Sequence, residues 1–158
     1  MKEKTKKTCI CVSVIILILI DQIVKYLIEY NKELLPLNVI GDFLQISYYQ
    51  NTGIAFGIGI GNVVIFIICN IIILGIIAKF IISQNQRLDE KNKFILSLVL
   101  AGGTSNLIDR IFRGYVVDFI DIGRFPVFNF ADILICIGII GFGISALKYI
   151  SMKNKEEN

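Results

Sequence analysis

Four stretches of the chain stay apolar long enough to cross a bilayer, and the polar residues collect at their ends. They cover about residues 8–30, 62–82, 93–112 and 129–150. Twenty residues at helical rise span roughly 30 Å, the thickness of the hydrocarbon layer. The many isoleucines and valines do not turn these stretches into strands, because a segment in lipid must close its own backbone hydrogen bonds and a helix does so. The pattern predicts an all-α membrane protein, a bundle of four transmembrane helices forming one integral membrane domain over 1–158. The intervening segments are 31–61 and 113–128. Within the first, LNVIGDFLQISYYQNTG partly alternates and is rich in β-formers, which predicts a short strand or hairpin at the membrane surface. The tail SMKNKEEN is expected to be disordered.

Composition agrees with this pattern. The 158 residues are 55% hydrophobic with a mean hydropathy of +0.73, more apolar surface than a soluble core of this size can hide. A formal charge of +3 is too small to suggest a nucleic-acid partner. Basic residues instead report orientation. Four lysines lie in MKEKTKK, Lys79, Arg87, Lys91 and Lys93 surround the second connection, and Lys148, Lys153 and Lys155 close the chain. These are eleven of the 16 basic residues, so both termini and the middle connection are expected in the cytoplasm, with 31–61 and 113–128 outside. The lysines followed by CICVSVIILILI resemble a signal peptide, but no small-x-small cleavage site follows, and the segment is read as an uncleaved first span.

The chain has no histidine, which removes Ser-His and Cys-His nucleophile pairs and the usual His-ligated metal sites. Cys9, Cys11, Cys69 and Cys136 have no zinc-finger spacing and imply no disulfide framework; they are expected to be small buried apolar residues. Carboxylates remain. Asp118 and Asp132 lie in YVVDFIDIGRFPVFNFADILI, at a membrane boundary where an unneeded charge is costly. They are either two separate interfacial carboxylates or an acid/base pair sharing a proton. Asp121, between them, is expected to be solvated.

Other polar positions leave alternatives open. Asp21 and Lys25 share a helix face at i, i+4, as a structural salt link or as part of a site. Asn51-Thr52-Gly53 is turn chemistry, or else Asn51 offers its amide to an extended peptide. Gly102, Gly103 and Ser105 make a small-residue face for close helix approach. Asn106, Asp109 and Arg110 form a polar ridge on the third helix, with Asp109 and Arg110 either an interfacial ion pair or support for a site. Asn129 and Asp132, at i, i+3, open the fourth helix, whose free N–H groups favour an anion while burial favours the neutral acid.

Five short motifs in order resemble lipoprotein signal peptidase, the signal peptidase II family of bacteria, across nearly the whole chain: Asp21 with Lys25, NTGIAFG at 51–57, NLIDR at 106–110, YVVDF at 115–119 and FNFAD at 128–132. The resemblance implies an intramembrane aspartyl endopeptidase with Asp118 and Asp132 as its catalytic dyad. Asn51, Gly53, Asn106, Arg110 and Asn129 would line the substrate site, and Asp21, Lys25 and Asp109 would support it. It also implies a small extracytoplasmic sheet, and a lipid-modified prolipoprotein substrate cut immediately before the diacylglyceryl-cysteine. Membrane lipids are the other expected partner; no cofactor, metal, nucleic acid or obligate protein partner is implied. Two departures stand out. Ser105 replaces the family's usual glycine, and the 119–131 connection is short and lacks the tryptophan often found there. A proton-coupled transporter would also use membrane carboxylates, but would continue its polar residues along a path to the cytoplasmic side. A non-catalytic bundle partner would explain the small residues but not two carboxylates flanked by asparagines.

Overall fold

The computed structural model describes residues 3–41, 43–53, 63–84 and 86–156. Its elements are helix α1 (Glu3–Tyr30), a 3-10 turn (Lys32–Leu34), strands β1 (Leu37–Ile40) and β2 (Leu44–Asn51), helices α2 (Val63–Ser83) and α3 (Glu90–Phe112), strand β3 (Val116–Asp121) and helix α4 (Phe130–Glu156). All four helices are long and apolar enough to cross a membrane. The expected start of the second span at Asn62, and Ile54–Gly57 of the 51–57 motif, lie outside the described residues.

Helix α3 is the axis of the bundle, packed against α1, α2 and α4. Asp89 caps its start, its side chain accepting from the Asn92 N–H at 2.8 Å, and Gly114, at φ +83°, turns the chain away after its end. The three small residues of α3 do not make one face. A Cβ on Gly102 would run into the Ala131 carbonyl of α4, and one on Gly103 would meet Leu74 of α2. Ser105 bonds Asp21 of α1. Successive helical residues point about 100° apart, so each small residue admits a different neighbour. The buried apolar core is correspondingly small, Leu98, Ala101 and Leu134 with Val14, Leu17, Ile18 and Phe130 against them. Most large apolar side chains face outward, as lipid-facing residues do.

The hairpin predicted in 31–61 is present as β1 and β2, and it continues into a three-stranded antiparallel sheet of order β1-β2-β3. Tyr49 stands opposite Asp118 and Asn51 opposite Val116, with a bulge between Ile46 and Tyr49. The connection after β3 doubles back on its own strand: Phe119 and Ile120 both donate to the Phe128 carbonyl, at 3.0 and 2.8 Å, and Phe128 donates to Ile120 at 3.1 Å. That return is how a short connection delivers α4 beside β3.

Three expectations are corrected. The four cysteines are exposed on the helix surfaces, because in a bilayer an apolar thiol is as well solvated by lipid as by core. The tail is helical through Glu156: no glycine or proline interrupts it, and Lys153 and Lys155 complement the helix C-terminus. Asp121 is the half-buried last residue of β3, opposite Gln45, its Oδ1 accepting from the Gly123 N–H at 2.9 Å.

Candidate active site

The polar residues of α1 lie on one stripe. Asp21, Gln22, Lys25 and Glu29 recur at helical spacing in an otherwise apolar segment. Asp21, Lys25 and Asp109 are fully buried together. Lys25 Nζ lies 2.8 Å from Asp21 Oδ2, 2.8 Å from Asp109 Oδ2 and 2.8 Å from Asn106 Oδ1, so all three ammonium protons have acceptors. Asp21 also accepts from Ser105 Oγ at 2.6 Å and from the Ala131 N–H at 3.0 Å. Ala131 lies in the first turn of α4, where backbone N–H groups lack helical partners, so a carboxylate from α1 caps α4. Asp109 accepts in addition from Gln22, Arg113 and the Val117 N–H of β3. One buried charge cluster therefore fixes α1, α3, β3 and α4 relative to each other.

Asp109 pairs with Lys25 and Arg113; no ion pair joins it to Arg110 among the described residues. Arg110 turns the other way, donating to the Asn106 carbonyl at 3.3 Å and lying 5.7 Å from the Phe66 ring centroid. Neighbouring helical positions do not face each other, which is why the sequence pair is not a spatial pair.

Above the cluster are the two aspartates. Because Lys25 can only donate, the Asn106 amide must turn its oxygen to Lys25 and its NH2 to Asp132, where Nδ2 donates to Oδ1 at 2.8 Å. Asn129 is oriented in the same way. Its Oδ1 accepts from the Asp132 N–H at 2.9 Å, while Asp132 Oδ2 accepts from the Asn129 N–H at 3.2 Å, a reciprocal cap at the start of α4. The Asn129 NH2 then donates to Asp118 Oδ1 at 2.6 Å and to Asn106 Oδ1 at 3.2 Å. Asn51 completes the set: its Oδ1 accepts from the Gly53 N–H at 2.8 Å and its NH2 donates to Asp118 Oδ2 at 2.9 Å. The Asn51–Gly53 turn is thus real, with Gly53 at φ +85° and no room for a Cβ against Phe66. Asn51 directs its amide at Asp118.

Asp118 and Asp132 are bridged by one asparagine, and both line the same groove of about 770 Å3. Asn51, Ile122, Phe125 and Phe128 form its upper wall, and it descends along α4 to Ile140 and Gly141, about 13 Å below Asp132 at helical rise. Burial raises the Asp118 carboxyl to about 6 from an ordinary 3.8; the Asn51 hydrogen bond opposes this, and the negative charge of Asp132 adds to it.

Sequence reasoning missed an outer set. Arg113 Nε pairs with Glu29 at 3.1 Å, and the Tyr115 and Tyr48 hydroxyls donate to the same carboxylate at 2.5 and 3.3 Å. The Glu29 hydrogen bond, then that with Tyr48, raises the Tyr115 phenol above its usual value. These contacts hold the sheet to α1, three residues from Asp118. Gln22 and Glu29 were legible as members of the α1 stripe, whereas Arg113 and Tyr115 flank a helix end and carried no periodic signal.

Known proteins agree with this architecture. The chain is 40% identical to a lipoprotein signal peptidase of Thermodesulfovibrio yellowstonii over 158 residues, covering 94% of this chain and 99% of that one. It is 39% identical to a lipoprotein signal peptidase of Staphylococcus aureus, covering 95% and 94%. A solved bacterial membrane enzyme superposes with a TM-score of 0.82 at 34% identity over 92% of both chains. A second superposes with a TM-score of 0.79 at 34% identity, covering 89% of this chain and 94% of that one. The model of the signal peptidase (SPase) II family matches residues 13–148, and with the relatives' identity and coverage this means that the chain belongs to that family.

Proposed function

We propose that this chain is a membrane aspartyl endopeptidase that removes the signal peptide of diacylglyceryl-modified prolipoproteins, with Asp118 and Asp132 as its catalytic pair. The observation that carries the reading is the shared asparagine: Asn129 donates to Asp118 and caps Asp132, so two carboxylates from different elements face one apolar groove. In this reading the two carboxylates hold one proton between them, one ionised and one neutral. The ionised aspartate takes a proton from water as the oxygen attacks the scissile carbonyl carbon. The protonated one gives its proton to the carbonyl oxygen, forming a neutral gem-diol. On collapse the C–N bond breaks, the proton taken from water passes to the departing amine, and the other returns to the pair.

Asn51, Asn106 and Asn129 hold the carboxylates in orientation, and Gly53 and Arg110 border the substrate. The lipid-modified cysteine sits at the groove, its acyl chains leaving laterally into the bilayer along the apolar face of α4. The lysine distribution supports termini on the cytoplasmic side and the groove at the outer face. A proton path through the bundle finds no support in α2, whose Asn70 is hydrogen-bonded to the Gly103 carbonyl at 3.1 Å.

The test is cleavage of a purified diacylglyceryl-modified precursor by Asp118→Asn and Asp132→Asn variants. Asparagine keeps size and polarity but cannot cycle a proton, so each is expected to lose about 10^3-fold or more in kcat with an intact thermal transition. Near-wild-type turnover by either folded variant sinks the dyad.

A further inference from the structure

The strand that carries Asp118 has little backbone to hold its start. Arg113 is the C-cap of α3, and Gly114 after it, at φ +83°, leaves the chain free to pivot before β3 begins. Strand β3 lies at one edge of the sheet. Among the described residues its free side gains a backbone neighbour at Phe119 and Ile120, through Phe128, and none earlier. The first half of the strand, with Asp118, is held by side chains instead.

Two carboxylates do the holding. Asp109 of α3 accepts from the Val117 N–H at 3.4 Å, and Glu29 of α1 accepts from the Tyr115 hydroxyl at 2.5 Å. One guanidinium grips both. Arg113 Nε donates to Glu29 Oε2 at 3.1 Å, while Nη1 donates to Asp109 Oδ1 and, at 3.1 Å, to Gln22 Oε1. The Arg113 side chain is 19% exposed and Asp109 is fully buried, so these charge-assisted bonds are largely shielded from water. The planar fork of arginine reaches acceptors on two helices at once, which the single ammonium of a lysine does not. Arg113 is absent from the lining of the proteolytic groove, so its influence there passes through β3.

We propose that Arg113 is a positioning residue for proteolysis: by gripping Glu29 and Asp109 together it fixes the first half of β3, and with it the placement of Asp118 against Asp132. This rests on the protease reading above. A reacting group displaced by about 1 Å costs on the order of 100-fold in rate, so a freed β3 lowers kcat while the substrate contacts stay in place. The proton balance of the site reports the same event. Asp132 of α4, Lys25 of α1 and Arg110 of α3 are the charges acting on Asp118, and Asn51 and Asn129 donate to it. Arg113 is not among them. Loss of its positive charge by itself raises a nearby carboxyl, whereas a loosened strand admits water and lets Asp118 fall from about 6 toward 3.8. The two effects have opposite signs.

The experiment follows cleavage of a diacylglyceryl-modified precursor by the full chain in detergent, with kcat, KM and the pH profile of kcat measured for wild type, Arg113→Gln and Arg113→Lys. Arg113→Gln should lower kcat on the order of tenfold and change KM by less than about twofold. The alkaline limb of its profile, where the pair loses its proton, should move to lower pH. Arg113→Lys keeps the charge without the fork, so it should show a smaller loss of kcat and a shift of the same sign; it carries the test if Arg113→Gln does not fold. A lower kcat with the limb unmoved means only that less enzyme is folded, and overturns the proposal. A limb moved to higher pH does so too, since it reports charge rather than position, as does wild-type kcat in either folded variant. Cleavage by wild type that Asp118→Asn abolishes leaves the protease reading standing through any of these results. Near-wild-type cleavage by folded Asp118→Asn sinks that reading and this proposal with it.

Discussion

Helices α2 and α3 cross the same bilayer and are built on opposite rules. Over its most apolar window α2 has a mean hydropathy of 2.8 and no buried residue, whereas α3 has 1.3 and 56% of the window buried. In water the more hydrophobic helix would be the inner one. In lipid, apolar side chains gain nothing by leaving the solvent, while polar groups gain by finding each other. The helix that looks least like a membrane span therefore sits at the centre and presents Asn106 to one aspartate, while α2 is a wall.

The contrast is broken most severely at Lys25. Replacing it by Met leaves Asp21 and Asp109 buried without their cation, and unfolding in detergent should become easier by about 3–5 kcal/mol, read from thermal melts. Lys79→Met, on an exposed position of α2, should change stability by no more than about 0.5 kcal/mol. Equal effects would mean that α3 is no more the axis than α2.

Acidity should act on the polar side of the contrast. Asp118 has a folded value near 6 against an ordinary 3.8, so its protonated form favours the fold below about pH 4, and that contribution is lost as pH rises through 6. The difference corresponds to about 3 kcal/mol between the two limits. Melting of the wild type followed from pH 4 to 7.5 should contain this downward component, and Asp118→Asn should remove it; identical slopes would show that Asp118 titrates normally.

Glycines give a test of opposite signs. Gly102→Ala drives a methyl into the Ala131 carbonyl and should destabilise by about 1–3 kcal/mol. Gly75→Ala in α2, with nothing within 4 Å of the new methyl, should stabilise by up to about 1 kcal/mol through helix propensity. A small loss is expected at Asn70, whose hydrogen bond to the Gly103 carbonyl is a polar link from α2 to α3. Asn70→Leu should cost about 0.6 kcal/mol, the usual worth of such a bond in a membrane protein.

Much of the site was legible because polar residues are conspicuous in apolar helices. Asp21 and Lys25 at i, i+4 are paired as their spacing suggests, and Asn129 and Asp132 cap α4 as i, i+3 allows. Where reading along the chain went astray, it took adjacency for contact. Asp109 with Arg110 and Gly102 with Gly103 are neighbours in the chain and face different helices. The cysteines were misjudged by the habits of soluble cores, and Asn51 directs its amide at Asp118 as well as making a turn.

Residue type and helical repeat were enough for the four spans, their order and the set of side chains too polar to face lipid. The reason is local: in a bilayer each span must satisfy its backbone within itself, so its signature is written in consecutive residues. Which polar groups meet was not written there. Asp21 caps a helix 110 positions away, Lys25 turns the Asn106 amide toward Asp132, and the 119–131 return pairs with its own strand. Those contacts depend on how separate helices rotate and approach, and only the packed bundle decides that.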